Sequence, residues 1–156
     1  MQVFAHFSRL CAFFRGFMKR NIAVLASGNG TNAENIIRYF SSNEYIDVSL
    51  VISNRQNAFV LERARALSIP AISYEKDEWS SGKNVLLGLR KYKIDFIVLA
   101  GFMICIPTNI LHAYPDKIIN IHPSLLPRFG GKGMYGDFVH EAVLAAGEKE
   151  SGITIH

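Results

Sequence analysis

Cysteine is scarce in this chain, with Cys11 and Cys105 as the only two among 156 residues. The first lies near the amino terminus and the second at the end of a predicted apolar strand, so they indicate neither a disulfide framework nor a metal site. Two such thiols favour a reduced, cytoplasmic protein. Long apolar runs are also absent, since no stretch reaches the roughly 20 residues that a membrane-spanning helix requires. The composition therefore predicts one globular domain that is not embedded in a membrane.

A basic excess is missing from most of the chain, although the formal net charge is +4. The first 20 residues contain no acidic residue and four basic ones, namely Arg9, Arg15, Lys19 and Arg20. Of the 17 basic residues in total, 13 therefore remain, against 13 acidic residues. A nucleic-acid-binding domain is expected to present a basic face. We predict small-molecule partners and no nucleic acid.

Two segments can be distinguished along the chain. Residues 1–17 hold aromatic residues and arginines but no recognisable cleavage site, whereas Met18 opens MKRNIAVLASGNGTN, which is typical of a normal start. We interpret residues 1–17 as an N-terminal extension that is disordered or results from a misassigned start, with a targeting peptide as the alternative. Residues 18–156 are interpreted as one folded domain.

Short apolar runs alternate with helix-like segments at intervals of about 20–25 residues. The predicted strands cover residues 21–26, 46–53, 71–74, 95–100 and 117–121, and the predicted helices cover residues 33–40, 58–67, 84–92 and 107–113. In the helix at 58–67 the arginines are expected to point outward. Nearly continuous apolar strands are buried on both faces, as in parallel sheets. The pattern predicts an α/β fold with a doubly wound, mostly parallel sheet flanked by helices.

The first polar loop lies beyond the carboxyl end of the first strand, where ligands of such folds gather. It reads SGNGTN and covers residues 27–32. Its glycines allow backbone amides to face outward, and the start of the following helix favours an anion. Thr31 and Asn32 can add side-chain donors, which suits a phosphate monoester. The loop lacks the third glycine of a dinucleotide-binding fingerprint, and a tight turn with a capped helix is the alternative interpretation.

The second loop covers residues 100–107 and reads AGFMICIP. An apolar segment at the carboxyl end of a strand can line a slot for a flat aromatic ligand, and its backbone amides can bond the edge of a heterocycle. Ordinary core packing is the alternative, and the residues of this loop alone favour it.

The third loop contains Asn120, His122, Pro123 and Pro127 within the run NIHPSLLP. Asn120 and His122 are two residues apart in an extended segment, so both side chains are predicted to project to the same side. A carboxamide beside an imidazole suits a reaction through a tetrahedral oxyanion, because the amide donates to the developing oxygen while the histidine moves protons. A structural histidine is the alternative, but the asparagine, the histidine and the rigid exit through two prolines together favour a functional role.

Four motifs in this order resemble the glycinamide ribonucleotide formyltransferases, from Met18 to His156. They are SGNGTN after the first strand, VLAGFM before the second loop, NIHPSLLP, and ESGITIH at the end. The resemblance implies transfer of a formyl group from 10-formyltetrahydrofolate to the amine of 5-phosphoribosylglycinamide, in de novo purine (IMP) biosynthesis. It also implies a Rossmann-type fold and a catalytic domain in residues 18–156. No metal is expected, because the folate co-substrate already carries an activated one-carbon unit.

The resemblance also implies roles for individual residues. Asn120 would steady the oxyanion and contact the folate, His122 would act as the acid/base, and His156 would lie near the active site. The substrate phosphate would be held by Gly30, Thr31 and Asn32. The folate would bind, largely through backbone contacts, at Met103, Ile104, Cys105 and Ile106.

The chain departs from the family pattern in three places. Segment 128–136 is longer and richer in glycine than the usual connection, which predicts a mobile flap or a subfamily variation. The arginine that contacts folate in the family has no clear counterpart, and Lys83 is the nearest candidate. The family continues past the histidine at 156 with a strand and a loop that carries an essential aspartate. We therefore interpret the sequence as C-terminally truncated, with Thr154 in a strand that lacks a neighbour at an incomplete sheet edge, and expect the chain alone to be poorly soluble or inactive.

Three other interpretations stay open at this point. Methionyl-tRNA formyltransferase shares the catalytic fold and an N-x-H-x-S-L-L-P segment, but SGNGTN and the neutral charge balance argue against it. Formyltetrahydrofolate deformylase uses the same donor, but it carries a regulatory domain ahead of the catalytic one, for which the 20 leading residues leave no room. The third is a non-catalytic remnant that binds phosphate ligands or folate. The sequence also leaves a homodimer open.

Overall fold

The computed structural model of the chain describes residues 19–131, 133–134 and 136–156. The predicted extension at residues 1–17 lies outside the described residues. One sheet contains the strands β1 (Arg20–Leu25), β2 (Ile46–Ser53), β3 (Ala71–Ser73), β4 (Phe96–Leu99), β5 (Ile118–His122) and β6 (Thr154–Ile155). The five strands predicted from apolar runs are confirmed, with ends that lie within one residue of the prediction.

The strands are ordered β3-β2-β1-β4-β5-β6 across the sheet. β1 to β5 are parallel to their neighbours, and β6 runs antiparallel to β5. The chain order reverses between β1 and β4, so the carboxyl ends of these two strands border a crevice of the kind in which open α/β sheets bind ligands. The predicted doubly wound, mostly parallel sheet is therefore confirmed.

Helices connect the strands, namely α1 (Thr31–Phe40), α2 (Phe59–Ala66), α3 (Lys76–Ser81), α4 (Lys83–Lys91), α5 (Thr108–Ala113) and α6 (Asp137–Ala145). Two of these helices, α3 and α6, have no counterpart among the helices predicted from the sequence. α3 is short and polar, buries Trp79, and begins at a capping box in which Glu75 and Glu78 each bond the other's backbone. α6 buries Val139 and Val143. So few buried positions give no helical periodicity that a sequence reading can detect.

Apolar clusters cover both faces of the sheet, as the alternation of side chains along β1 requires. Ile22 and Val24 pack on one face against α1 and α2. Ala23 and Leu25 pack on the other face against α4 and α5. Burial stabilises a Leu or Val side chain by about 1.5–3 kcal/mol, so these clusters fix the strand ends from which the loops of the crevice extend.

β6 corrects the expectation for the last strand. Thr154 does not lack a neighbour, because it pairs with His122 while Ile155 pairs with Ile121. On its other side β6 pairs with no strand in the described part of the chain. Ile153 and Ile155 are 63% and 61% exposed. In the described residues the unpaired edge of the sheet is therefore the outer side of β6.

Two kinds of feature are not found in the described ranges. No helix in residues 19–131, 133–134 or 136–156 is both long and apolar enough to cross a membrane. No group of three or more His, Cys, Asp or Glu side chains in these ranges is arranged to hold a metal ion.

Candidate functional site

Ser27 joins the loop after β1 to the loop after β4. Its backbone N–H donates to the carbonyl of Gly101 at 3.1 Å, and its Oγ accepts a hydrogen bond from the Met103 N–H at 2.9 Å. The residue is completely buried, and the two loops therefore form one unit across the crevice. Sequence reasoning assigned Ser27 no role. A serine at the end of a buried strand, directly before a glycine, is the signal that could have indicated it.

The loop between β1 and α1 presents an open helix N-terminus. Gly30 is the residue before α1, with φ of 78°, and no side chain caps the helix. The side chains of Thr31 and Asn32 are exposed. A Cβ added to Gly28 would meet nothing within 4 Å, so the loop borders open space. The amides of the first helical turn can bind an anion there.

Side chains of the loop after β4 alternate between the core and the surface. Phe102, Ile104 and Ile106 pack against the cluster on the α4 and α5 face of the sheet. Met103 is 45% exposed and Cys105 is exposed. The segment therefore offers outward side chains at alternate positions and its backbone groups to a ligand.

Two expectations for this loop need correction. Cys105 does not lie at the end of a strand, because β4 ends at Leu99 and the thiol belongs to the exposed loop. The Met103 amide is not free to bond a heterocycle, because it already donates to Ser27. A ligand at this loop would therefore bond the backbone groups of residues 104–106 and not the Met103 N–H.

An open cavity of about 400 Å³ adjoins this loop. Its lining comes from the end of α3 and from the segment after β4, namely Trp79, Ser80, Ser81, Cys105, Ile106, Pro107, Thr108 and Asn109. Lys83 is not part of this lining. It is exposed at the first position of α4, and within the described residues its side chain forms no hydrogen bond with residues 103–106. The role of Lys83 stays a prediction.

The end of β5 brings Asn120 and His156 together. The backbone N–H of Asn120 donates to the His156 carbonyl at 2.7 Å, and the backbone N–H of His156 donates to the Asn120 carbonyl at 3.1 Å. The side-chain Nδ2 of Asn120 lies 2.9 Å from Nε2 of His156. Because an amide nitrogen can only donate, Nε2 of His156 accepts, and the neutral ring carries its proton on Nδ1. His156 thus orients the carboxamide of Asn120.

His122 is oriented by the turn that follows β5. Its Nε2 lies 2.9 Å from the carbonyl oxygen of Phe129. Because a carbonyl can only accept, the neutral ring carries its proton on Nε2 and leaves Nδ1 as a base. The buried hydroxyl of Ser124 shares its one proton between the carbonyls of Arg128 and Phe129, whose oxygens lie 3.0 and 3.2 Å from Oγ. The turn therefore fixes both the position and the tautomer of the imidazole.

Alternation along β5 determines which face carries Asn120 and His122. Ile119 and Ile121 pack with the cluster on the α1 and α2 face, whereas Ile118 packs with the opposite cluster, which includes the loop after β4. Asn120 and His122 follow Ile118 at two-residue intervals, so they share its face. They therefore project toward the side of the sheet on which residues 102–106 lie.

Thr154 fastens β6 to the segment after β5. Its Oγ1 donates to the Ser124 carbonyl at 2.7 Å and accepts from the Leu126 N–H at 3.0 Å. Thr154→Val is expected to lower the free energy of unfolding by about 1–3 kcal/mol, because both backbone groups lose their partner. Urea denaturation measures the change. Thr154→Ser keeps the hydroxyl and serves as the control, and equal losses in the two variants would contradict this account.

The site therefore contains three loops at one sheet edge. Residues 27–32 and residues 100–107 are joined through Ser27. Asn120, His122 and His156 cluster at the end of β5. Within the described residues, no carboxylate is bonded to either imidazole of this cluster.

Comparison with known proteins identifies the family to which the chain belongs. The sequence profile of the Formyl transferase family matches residues 20–156. The chloroplastic phosphoribosylglycinamide formyltransferase of Arabidopsis thaliana is 40% identical over 144 residues, which cover 88% of this chain and 49% of that protein. The phosphoribosylglycinamide formyltransferase of Bacillus subtilis is 38% identical over 142 residues, which cover 88% of this chain and 70% of that protein.

A solved structure has the same fold. The crystal structure of glycinamide ribonucleotide transformylase 1 from Geobacillus kaustophilus matches with a TM-score of 0.80 at 35% identity, over 89% of this chain and 74% of that one. The chain spans about half the length of the Arabidopsis protein. On sequence and fold together, the chain belongs to the formyl transferase family and groups with its phosphoribosylglycinamide formyltransferases.

Proposed function

We propose that this protein transfers a formyl group from 10-formyltetrahydrofolate to the amine of 5-phosphoribosylglycinamide, a step of de novo purine (IMP) biosynthesis. The observation that carries the proposal is the meeting of three loops at one sheet edge. The open N-terminus of α1 lies beside the apolar loop after β4, because Ser27 bonds the loop after β1 to that loop. On the adjoining strand β5, Asn120 lies two residues from His122. Membership of the formyl transferase family supports the type of reaction.

The phosphate of the substrate would bind at the start of α1. Gly30 leaves the first helical amides uncapped, and Thr31 and Asn32 add exposed side-chain donors. Helix N-termini favour anions through these amides and the helix dipole. Residues Gly30, Thr31 and Asn32 would therefore hold the phosphate.

Asn120 and His122 carry the proposed chemistry. Asn120 has two amide protons, of which one donates to His156, so the second can donate to an oxygen on which negative charge develops. His122 has its Nε2–H bonded to Phe129, so its Nδ1 can accept a proton from an attacking amine and release it again. His156 acts through Asn120 by fixing the direction of the carboxamide.

The loop after β4 fits the folate co-substrate, which supplies the activated formyl group. Ile104 and Ile106 pack into the core and hold the segment in place. Met103 and Cys105 project outward and can line an apolar contact with a flat ring system. Asn120 lies on the same side of the sheet, so Met103, Ile104, Cys105, Ile106 and Asn120 would together bind the folate.

We further propose a cytoplasmic location and small-molecule partners. Beyond residue 20 the 13 remaining basic residues equal the 13 acidic ones, so no basic excess is available to attract nucleic acid. The two cysteines form neither a disulfide framework nor a metal-ligand spacing, which favours a reducing compartment.

Binding measurements with the 156-residue chain test the phosphate site. We expect 5-phosphoribosylglycinamide to bind about 10- to 100-fold more tightly than its unphosphorylated nucleoside, because charge-assisted hydrogen bonds are lost with the phosphate. Isothermal titration calorimetry measures both affinities. Equal affinity for the two ligands would contradict the proposed site.

Formyl transfer is expected to be slow or absent in the 156-residue chain alone, because neither imidazole has a carboxylate partner in the described residues. A chimera in which the C-terminal segment of the Bacillus subtilis relative follows His156 is expected to transfer the formyl group faster than the chain alone. Absorbance of the folate product measures the rate, and omission of the amine measures hydrolysis. Robust transfer by the chain alone would contradict this expectation, and a folded chimera that only hydrolyses the donor would contradict the proposed function.

A further inference from the structure

Arg63 of α2 bonds the loop after β1 at two points and the following helix α1 at a third. Its Nε donates to the Asn29 carbonyl at 2.9 Å, and its Nη2 donates to Oδ1 of the same asparagine at 3.1 Å. Its Nη1 forms an ion pair with Glu34 in the first turn of α1. The side chain is 26% exposed. One guanidinium therefore ties together the middle of the loop and the start of the helix.

The ion pair between Arg63 and Glu34 affects the charge at the start of α1. A carboxylate in the first turn of α1 repels an anion that binds at that helix N-terminus. Arg38 bonds one carboxylate oxygen at 2.9 and 2.7 Å, and Arg63 bonds the other. Hydrogen bonds from Arg38 and Arg63 hold the pKa of the Glu34 carboxyl below its usual value. The three side chains together carry one net positive charge, which favours an anion.

α2 provides a rigid base for these contacts. The Val60 N–H donates to the Gly28 carbonyl at 3.1 Å, and Gly30 lies directly against Val60. The ring of Phe59 lies 4.8 Å from the guanidinium of Arg63. The arginine is therefore held by its own helix while it holds the loop.

We propose that Arg63 is a positioning residue for the phosphate-binding loop. It fixes Asn29, and with it the direction of the neighbouring amides, and it keeps the Glu34 carboxylate turned away from a bound anion. This inference rests on the proposed function, because it assigns a cause to phosphate affinity at the same site. All three guanidinium nitrogens of Arg63 bond Asn29 or Glu34, so its loss acts on the shape and charge of the loop.

Ribose 5-phosphate and ribose are the probes, titrated into the 156-residue chain and its variants. Arg63→Gln is expected to weaken ribose 5-phosphate binding by about tenfold, because the loop loses its preorganisation and Glu34 its second partner. Arg65→Gln removes the same charge from an exposed position of α2 and is expected to change affinity by less than about twofold. Arg63→Lys keeps the positive charge but replaces the planar guanidinium by a single ammonium group. It cannot make all three bonds at once, so it should recover only part of the affinity.

Each outcome decides the inference. Weaker binding in Arg63→Gln with partial recovery in Arg63→Lys supports the inference. The NMR chemical shifts of the Gly28 and Gly30 amides should likewise differ from wild type more in Arg63→Gln than in Arg63→Lys. Equal binding by wild type and both Arg63 variants would overturn it while leaving the phosphate site in place. An equal loss in Arg65→Gln would also overturn it, because long-range charge would then be the cause. If Arg63→Gln fails to fold, the comparison of wild type with Arg63→Lys still decides. No preference of the wild type for ribose 5-phosphate over ribose would overturn the proposed function itself.

Discussion

Replacing His122 by glutamine in the chimera is expected to lower kcat for formyl transfer by about 10²- to 10⁴-fold, with little change in substrate affinity. Glutamine keeps an N–H donor for the Phe129 carbonyl, which His122 now bonds at 2.9 Å. It has no nitrogen that can take up and release a proton near neutral pH. The variant therefore removes the proposed proton transfer while preserving the packing of the turn. Steady-state kinetics and calorimetric titration measure kcat and affinity separately.

His140→Gln is the matched control for this experiment. His140 is an exposed histidine of α6 outside the three loops, so its replacement should leave kcat unchanged. Thermal unfolding of all three proteins shows whether the folded state is equally stable. Wild-type turnover by His122→Gln would remove the acid/base role, and a parallel loss in His140→Gln would show that the effect is not specific to the site.

The cluster at the end of β5 shows how far sequence reasoning can go. Asn120 and His122 could be placed on one face because a strand alternates with a period of two residues. The bond between Asn120 and His156 could not be foreseen, because it joins residues 36 positions apart through antiparallel pairing with β6. Register between distant strands depends on tertiary packing, which a short polar segment such as SGITIH does not encode locally.

The contacts of Arg63 show a second limit of prediction from sequence. An amphipathic pattern assigns arginines to the solvent face of a helix, but it does not indicate that Arg63, whose side chain is 26% exposed, bonds a neighbouring loop. Its partners are Asn29 and Glu34, which belong to a different βα unit. Long charged side chains can cross a surface and bond a neighbouring loop, and the sequence of their own helix does not reveal this.

The strands β1, β2 and β4 were the most predictable part, because their apolar runs are largely buried between two layers of helices. Their parallel order then placed the three loops at one edge without further information. The bond through Ser27 and the orientation of His122 by Phe129 depend on loop conformation. Loop conformation is set by contacts distant in sequence, so these details required the structure.

Replacing Gly30 by alanine is expected to lower the free energy of unfolding by about 3 kcal/mol and to abolish binding of ribose 5-phosphate. The residue has a φ of 78°, which strains any residue with a side chain. The added Cβ would lie 2.4 Å from Cβ and Cγ2 of Val60 and 2.8 Å from its Cα. A backbone atom cannot rotate away, so either α2 or the loop must shift. Urea denaturation and calorimetric titration measure the two effects.

Gly28→Ala makes the same chemical change two residues earlier and separates stability from binding. A Cβ at Gly28 meets nothing within 4 Å, so the free energy of unfolding should change by less than about 1 kcal/mol. This variant should therefore stay folded and bind ribose 5-phosphate more tightly than Gly30→Ala does. If Gly30→Ala were as stable as Gly28→Ala, the close packing of the loop on α2 would be wrong. The anion site depends on that packing, because the packing holds Gly30 at the start of α1, where no side chain caps the first amides.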